Sequence, residues 1–281
     1  MHETMRKTSI LSMRDTMLAG ALALACGTAL AHHTWLVPSA SVVEGKEPWV
    51  SLDAAVSENL FEFDTTALQV DALTVVAPDG TAAAADSRVA GRKRTSFEVQ
   101  LKQIGTYRFS AVNDSHFATY KVGGEAKRWR GRLDALAREV PPEAQELQVT
   151  HMQNRVDTYV TNDKAGSNRF SALGNGLELI PTTPPTDLSV GDTSTFQLLL
   201  DGKPVADADV TVLRGGNRYR YKMGEIALKT NAQGLVSVKW PDAGRYWLGA
   251  SQGPRGANTG GTAQQPARRT NCSTTVEVLP Q

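Results

Sequence analysis

The sequence has little of what usually staples, anchors or charges a protein, and each shortage removes a class of function. Cysteine occurs twice in 281 residues, as Cys26 and Cys272. Cys26 lies inside an N-terminal export segment, so the mature chain is expected to hold one thiol and no internal disulfide, tolerating an oxidising compartment without staples. Charge of one sign is missing too: 30 Lys and Arg face 29 Asp and Glu, a net charge of +1. No broad field exists to draw nucleic acid or an anionic membrane, and both drop out as expected partners. Beyond the export segment no apolar run approaches the ~18–20 residues that span a bilayer, so no membrane span is expected in the mature chain. Catalytic signatures are also absent. There is no G-x-S-x-G elbow, no H-E-x-x-H and no phosphate-binding glycine loop, and the expectation is a protein that is not an enzyme and has no catalytic residue.

What is present starts at the N-terminus. Residues 17–25, MLAGALALA, form an apolar run behind Arg6, Lys7 and Arg14, and Ala29 and Ala31 are the small residues that a signal peptidase reads at −3 and −1. Residues 1–31 are therefore expected to be a signal peptide, the location periplasmic, and His32 the first residue of the mature chain. Cleavage there creates an α-amine on a residue whose own imidazole can close a chelate with it, with His33 next in line. A competing processing site exists at Ala23-Leu24-Ala25-Cys26, which resembles a lipobox with Ala in place of the usual Leu. A lipid on Cys26 would leave His32 inside the chain and remove the amine ligand.

The mature chain of roughly 250 residues is long enough for two cores. From Trp35 onward it reads as short strands of period two punctuated by turns: Pro48–Ala54, Leu73–Val76 into Pro78-Asp79-Gly80, Thr95–Leu101 and Thr106–Ser110. Residues 125–139 carry Trp129, Leu133, Leu136 and Ala137 at helical spacing and stop at Pro141-Pro142, which predicts one short helix. Val149–Val160 is rich in β-formers and is expected to close the first domain. Pro181, Pro184 and Pro185 mark an extended linker. Beyond it Thr195–Leu200 ends in Asp201-Gly202, followed by Ala208–Leu213, Leu235–Trp240, Arg245–Ala250, a polar loop at 253–270 and a last strand near Thr275–Leu279. The expected fold class is all-β: two immunoglobulin-like antiparallel β-sandwich domains, at 32–175 and 176–281, with one short helix after the signal peptide.

Two resemblances sit on these residues. Gly202-Lys203-Pro204-Val205, Asn231-Ala232-Gln233-Gly234 and Ala243-Gly244-Arg245-Tyr246-Trp247 resemble the carboxypeptidase-regulatory-like and collagen-adhesin B-type modules, which implies a structural part. The whole mature chain, from His32-His33-Thr34-Trp35-Leu36-Val37-Pro38-Ser39 through Gly176–Pro181 to Tyr246-Trp247, resembles the secreted family associated with periplasmic components of cobalt or nickel transport systems. That resemblance implies handling of a divalent metal and supplies no ligand set.

Of the five histidines, His2 lies in the export segment, leaving His32, His33, His116 and His151. The expected metal ligands are His32, His33 and His116, the last placed after a polar turn where loop ends carry binding groups. Nickel, cobalt or copper would be gripped by the amine and imidazole of His32, with His33 or His116 completing the site. His151 and Met152 point to opposite faces of a strand and cannot chelate together, so His151 is expected to play a local polar part. Asp53, Glu58 and Asp64 match no calcium loop and are expected as surface acids. The functional expectation is a periplasmic nickel-, cobalt- or copper-binding accessory of an uptake system whose partner is a membrane metal permease. The alternative is a non-catalytic structural or protein-binding module without metal.

Overall fold

The computed structural model describes residues 32–166, 170–255 and 259–281; the expected signal peptide, 1–31, and its cleavage site lie outside them. His32–Gln281 forms one compact unit. The fold is all-β, with sheets that are antiparallel but for two parallel pairings of Gln145–Asn162, and a single α-helix among the described residues. Its frame is a ten-stranded sheet that takes strands from both ends of the chain. Across it run Ile226–Lys229, Asp209–Arg214, Gly244–Gln252, Ala267–Val278, Gln145–Asn162, Gly105–Val122 and Leu73–Val76, in that order.

Two smaller sheets cover this frame. A five-stranded sheet with His33–Pro38, Trp49–Ser57, Thr95–Gln100 and Asp86–Ala90 packs on one half, and a four-stranded sheet with Leu177–Pro181, Thr193–Leu200 and Leu235–Lys239 packs on the other. Strand alternation decides which face each one takes. The first core uses Tyr107, Phe109, Ala111, Val156 and Val160 against Leu36, Leu52, Phe97 and Val99. The residues between these, Arg108, Ser110, Arg155, Asp157 and Tyr159, point the other way, toward the side where Glu178 of the four-stranded sheet reaches Arg108. The two small sheets therefore lie on opposite faces of the shared one. The second core joins Leu177, Leu179, Phe196, Leu198, Val236 and Val238 to Val210, Val212, Leu248, Cys272 and Val276. Trp35, Leu60, Phe61, Leu213 and Trp247 pack where the two halves meet.

The join between the halves is a strand pairing. Ala267–Val278 runs parallel to Gln145–Asn162, from Thr150↔Ala267 to Thr158↔Thr275. The polar loop expected over 253–270 therefore ends sooner, because its last residues, from Ala267, are already in this ladder. The proline-rich stretch bends at residues 182–183 and 185–186, and Leu177–Pro181 before it is a fully buried strand with Pro181 opposite Phe196.

The helix expected over 125–139 is half that length. Only Leu133–Glu139 is helical, while Glu125–Gly131 is a strand folded back on Gly105–Val122. Gly123 and Gly124 have φ of 57° and 85° and make the two-residue hairpin loop that opposes Val122 to Glu125. Trp129, read as the first apolar position of a helix, instead packs with Ala118, Leu136, Val140 and Val149 in a satellite core beyond the main layers. Its indole donates to Glu139 at 2.7 Å, tying strand to helix.

Candidate metal centre

His33 opens the first strand and pairs with Ser57, the last residue of Trp49–Ser57, so His32, just before the one, and Glu58, just after the other, lie side by side. His32 Nε2 stands 3.5 Å from Glu58 Oε1, and both side chains are about half exposed, at 54% and 47%. Glu58 opens a tight turn. The Asp64 carboxylate accepts the backbone N–H groups of Glu58 and Asn59 at 3.0 and 2.9 Å and the Asn59 side chain at 3.0 Å. Burial would push the Asp64 carboxyl up, but these hydrogen bonds and one from Thr65 outweigh it and hold it below the usual carboxylate range. Asp64 thus shapes the turn that presents Glu58.

Alternation sends His33 the opposite way from His32. It is 8% exposed and meets the Trp247 ring edge-on at 4.9 Å. Trp247 is fixed in turn, its indole donating to the Thr34 carbonyl at 2.9 Å. Burial lowers the His33 pKa and the neighbouring charge of His32 adds to the fall, against the opposing pull of the Glu58 and Ser57 backbone and of Glu225. The imidazole is held neutral, the form that binds metals. Its Nδ1 is buried without a hydrogen-bond partner among the described residues.

His116 lies elsewhere. It sits opposite His151 across the long pair Gly105–Val122 and Gln145–Asn162, their rings stacked at 4.7 Å and 11°. His151 Nε2 is 2.7 Å from Asp114 Oδ1. Partial burial lowers the His116 pKa, the His151 charge adds to this, and Asp114 opposes it. An open cleft of about 610 Å³ adjoins these groups, lined by Asp114, Ser115, His116, Arg132, Leu133 and Asp134. His151 neighbours Arg268, and Thr34 meets Ser273 five residues along the same strand, a separation of roughly 17 Å at ~3.3 Å per residue.

The structure therefore keeps His32 and His33 together and sets His116 with His151 and Asp114 at a second place. Glu58, expected as a surface acid, is the carboxylate beside His32; Asp53 instead holds Ser96 at 2.5 Å and Arg94 at 3.4 Å. Among the described residues no three His, Cys, Asp or Glu side chains already surround one centre at ligand spacing. Cys272 offers nothing to an ion, because full burial pushes its thiol up and away from the thiolate. The sequence signal for Glu58 was its place after a strand that could pair with the first one, a matter of register that residue type alone does not reveal.

Comparison with known proteins gives a family without a function. The family described as "Domain of unknown function (DUF4198)" matches residues 29–253. No curated protein matches the chain. Among solved structures, the D0-D1 domain of intimin aligns at 12% identity over 86% of this chain and 97% of that one, with a TM-score of 0.22. An ICAM-5 D1-D4 ectodomain fragment aligns at 12% identity over 88% and 51%, with a TM-score of 0.21.

Proposed function

The chain belongs to the DUF4198 family of unknown function, and from that premise we propose that it is an exported, periplasmic divalent-metal-binding accessory of an uptake system, its cargo gripped at a processed N-terminus. The observation that carries this reading is the 3.5 Å approach of His32 Nε2 to Glu58 Oε1 at the edge of a rigid strand pair. After cleavage before His32, the α-amine and the Nδ1 of its imidazole supply two nitrogens, and Glu58, which faces Nε2 in the apo form, supplies an oxygen once the ring turns over. That donor set suits nickel, cobalt or copper. His33 stands behind as a neutral, buried imidazole with a free nitrogen. It locks the strand end against Trp247 in the apo form and becomes a fourth ligand only if the strand end rotates.

Delivery to a membrane permease requires reversible binding. Amine and imidazole ligands provide it, since protonation competes with the metal. Calorimetric titration of protein beginning at His32, beside a form with one extra residue before it and a Glu58→Gln variant, tests the reading. Binding tighter than roughly micromolar that both changes weaken supports it. Binding that neither change alters overturns it.

A second reading has one observation in its favour. Tyr219, Tyr221 and Met223 are exposed at 79%, 109% and 41% on one short segment, which suits a protein-binding module. Retention of partner binding by a metal-free, chelator-treated protein would favour that reading.

A further inference from the structure

We propose that Asp114, His116 and His151 form a second divalent-metal site, of two imidazoles and one carboxylate, on the open side of the long strand pair. It does not depend on where the chain is cleaved.

Register brings the three groups together. Asp114 and His116 are two residues apart on one strand and so share a face, and His151 is directly opposite His116 on the next strand. Directly opposite residues have Cβ atoms about 4.5–5.5 Å apart, within reach of a shared ion for two imidazoles. The three are already engaged with one another: His151 Nε2 to Asp114 Oδ1 at 2.7 Å, and the two rings stacked at 4.7 Å. His116 makes no side-chain hydrogen bond among the described residues, leaving its ring nitrogens free.

The setting adds to this. Immediately beyond the pair, Ala118 and Val149 belong to the satellite core that Trp129 and Leu136 complete. On the other side Gln153 is hydrogen-bonded to Arg268, which Asp201 holds. The imidazoles therefore stand on a backbone fixed from both sides, as a preorganised site needs. The fold itself makes no evident use of two stacked, partly exposed histidines with a carboxylate. The adjoining cleft of about 610 Å³ leaves positions open for water or a small ligand, and Asp134 in its wall offers a second carboxylate.

The groups are paired with one another, not yet gathered on one point, so binding replaces an internal contact. The ion takes the place of the proton between His151 Nε2 and Asp114 Oδ1, His151 binds through Nε2 as the neutral tautomer that carries its one proton on Nδ1, any further proton leaves to water, and the His116 ring turns from stacking to donate a nitrogen at ~2.0–2.1 Å. Two nitrogens, one oxygen and open positions suit zinc, cobalt or nickel rather than magnesium or calcium.

The test uses the chain with one extra residue before His32 and Glu58→Gln, so that the N-terminal clamp is disabled. It is titrated with cobalt(II) and zinc(II) by calorimetry and by the visible absorption of cobalt. The expected result is one equivalent bound at roughly 10 μM or tighter. His116→Ala and His151→Ala each weaken it by more than the roughly 10–100-fold that loss of an outer partner brings. Asp114→Asn weakens it less. As a measurement that needs no substitution, zinc should protect His116 and His151 from diethyl pyrocarbonate. Absence of binding in the blocked chain, unchanged binding in the variants, or modification unaffected by zinc each overturns the proposal. None of these results bears on the N-terminal clamp, whose failure appears only in the unblocked protein.

Discussion

One face of the pair Gly105–Val122 and Gln145–Asn162 carries two clusters of titratable side chains, one sealed beneath the four-stranded sheet and one open. At the sealed end Arg108 reaches Asp157 at 2.7 Å and Glu178 at 3.0 Å, with exposures of 2%, 1% and 0%. Glu178 also accepts the Leu173 and Gly174 amides at 3.0 and 2.9 Å. Burial opposes the Arg108 charge, but Asp157 and then Glu178 more than restore it and hold the guanidinium firmly protonated. At the open end Asp114, His116 and His151 have the four-stranded sheet nowhere above them and stay in reach of solvent. Cover as well as residue type separates a structural bolt from a chemical site. Under the four-stranded sheet a charge has no partner but the one the fold supplies, whereas outside it an ion can compete.

The sharpest way to break this contrast is to unpair the bolt. Glu178→Ala leaves Arg108 with one carboxylate and strips two amides of their acceptor, and urea unfolding should show a loss of about 3–5 kcal/mol. A loss below about 1 kcal/mol would mean the seam is not what joins the layers. Replacing all three, Arg108→Met, Asp157→Leu and Glu178→Leu, should be neutral or stabilising by up to about 4 kcal/mol, because no uncompensated charge remains.

A smaller effect sharpens the same point. The Tyr159 hydroxyl is buried beside this bolt without a hydrogen-bond partner among the described residues, and burial pushes its pKa up. Tyr159→Phe removes an unsatisfied group and should raise stability by about 1 kcal/mol, read from the same denaturation curves. At the open end, His116→Ala should change stability by less than about 0.5 kcal/mol, with an unaltered circular dichroism spectrum, while losing the cobalt signal.

The smallest effect is confined to acid. Arg268 holds the Asp201 carboxyl down to about 2, helped by the Gly176 amide. A depressed carboxylate contributes stability that is fully present above its unfolded pKa, near 3.8, and is lost as pH falls through about 2. Both side chains are well exposed, at 39% and 42%, so the contribution stays below about 1 kcal/mol. Asp201→Asn should lower stability at pH 7 and converge with the parent near pH 2. Asp201 has φ of 50° and Gly202 of 77°, a turn that Asn tolerates as well as Asp, so the comparison isolates the charge.

Much of this fold was legible because alternation reports burial directly. Thr95–Gln100 reads apolar and polar in turn and is buried in turn, and the Asp201-Gly202 turn falls where the dipeptide puts it. Trp129 fits either period locally, which hides the Glu125–Gly131 strand; the informative signal is Gly123-Gly124, a hairpin pair. The bolt was out of reach. Its members lie 49 and 70 positions apart, and on a strand buried on both faces an inward-facing arginine looks like a break in the pattern. For the sites, His32 and His33 could be singled out by type, whereas Glu58 and the meeting of His116 with His151 depend on register, which no single strand encodes.

The parallel ladder between Gln145–Asn162 and Ala267–Val278 also sets an order of events. The strand at the middle of the frame acquires its neighbour only after more than a hundred intervening residues have been made, so closure is slow by the rule that non-local pairing delays folding. Without that strand the Gln145–Asn162 edge has no Ala267–Val278 partner, and a bare edge is a template for any other extended chain. A chain truncated before Ala267 should therefore form soluble oligomers or aggregates rather than a smaller stable sandwich, and the final twelve-residue strand is best understood as the latch that ends the chain's exposure to its own copies.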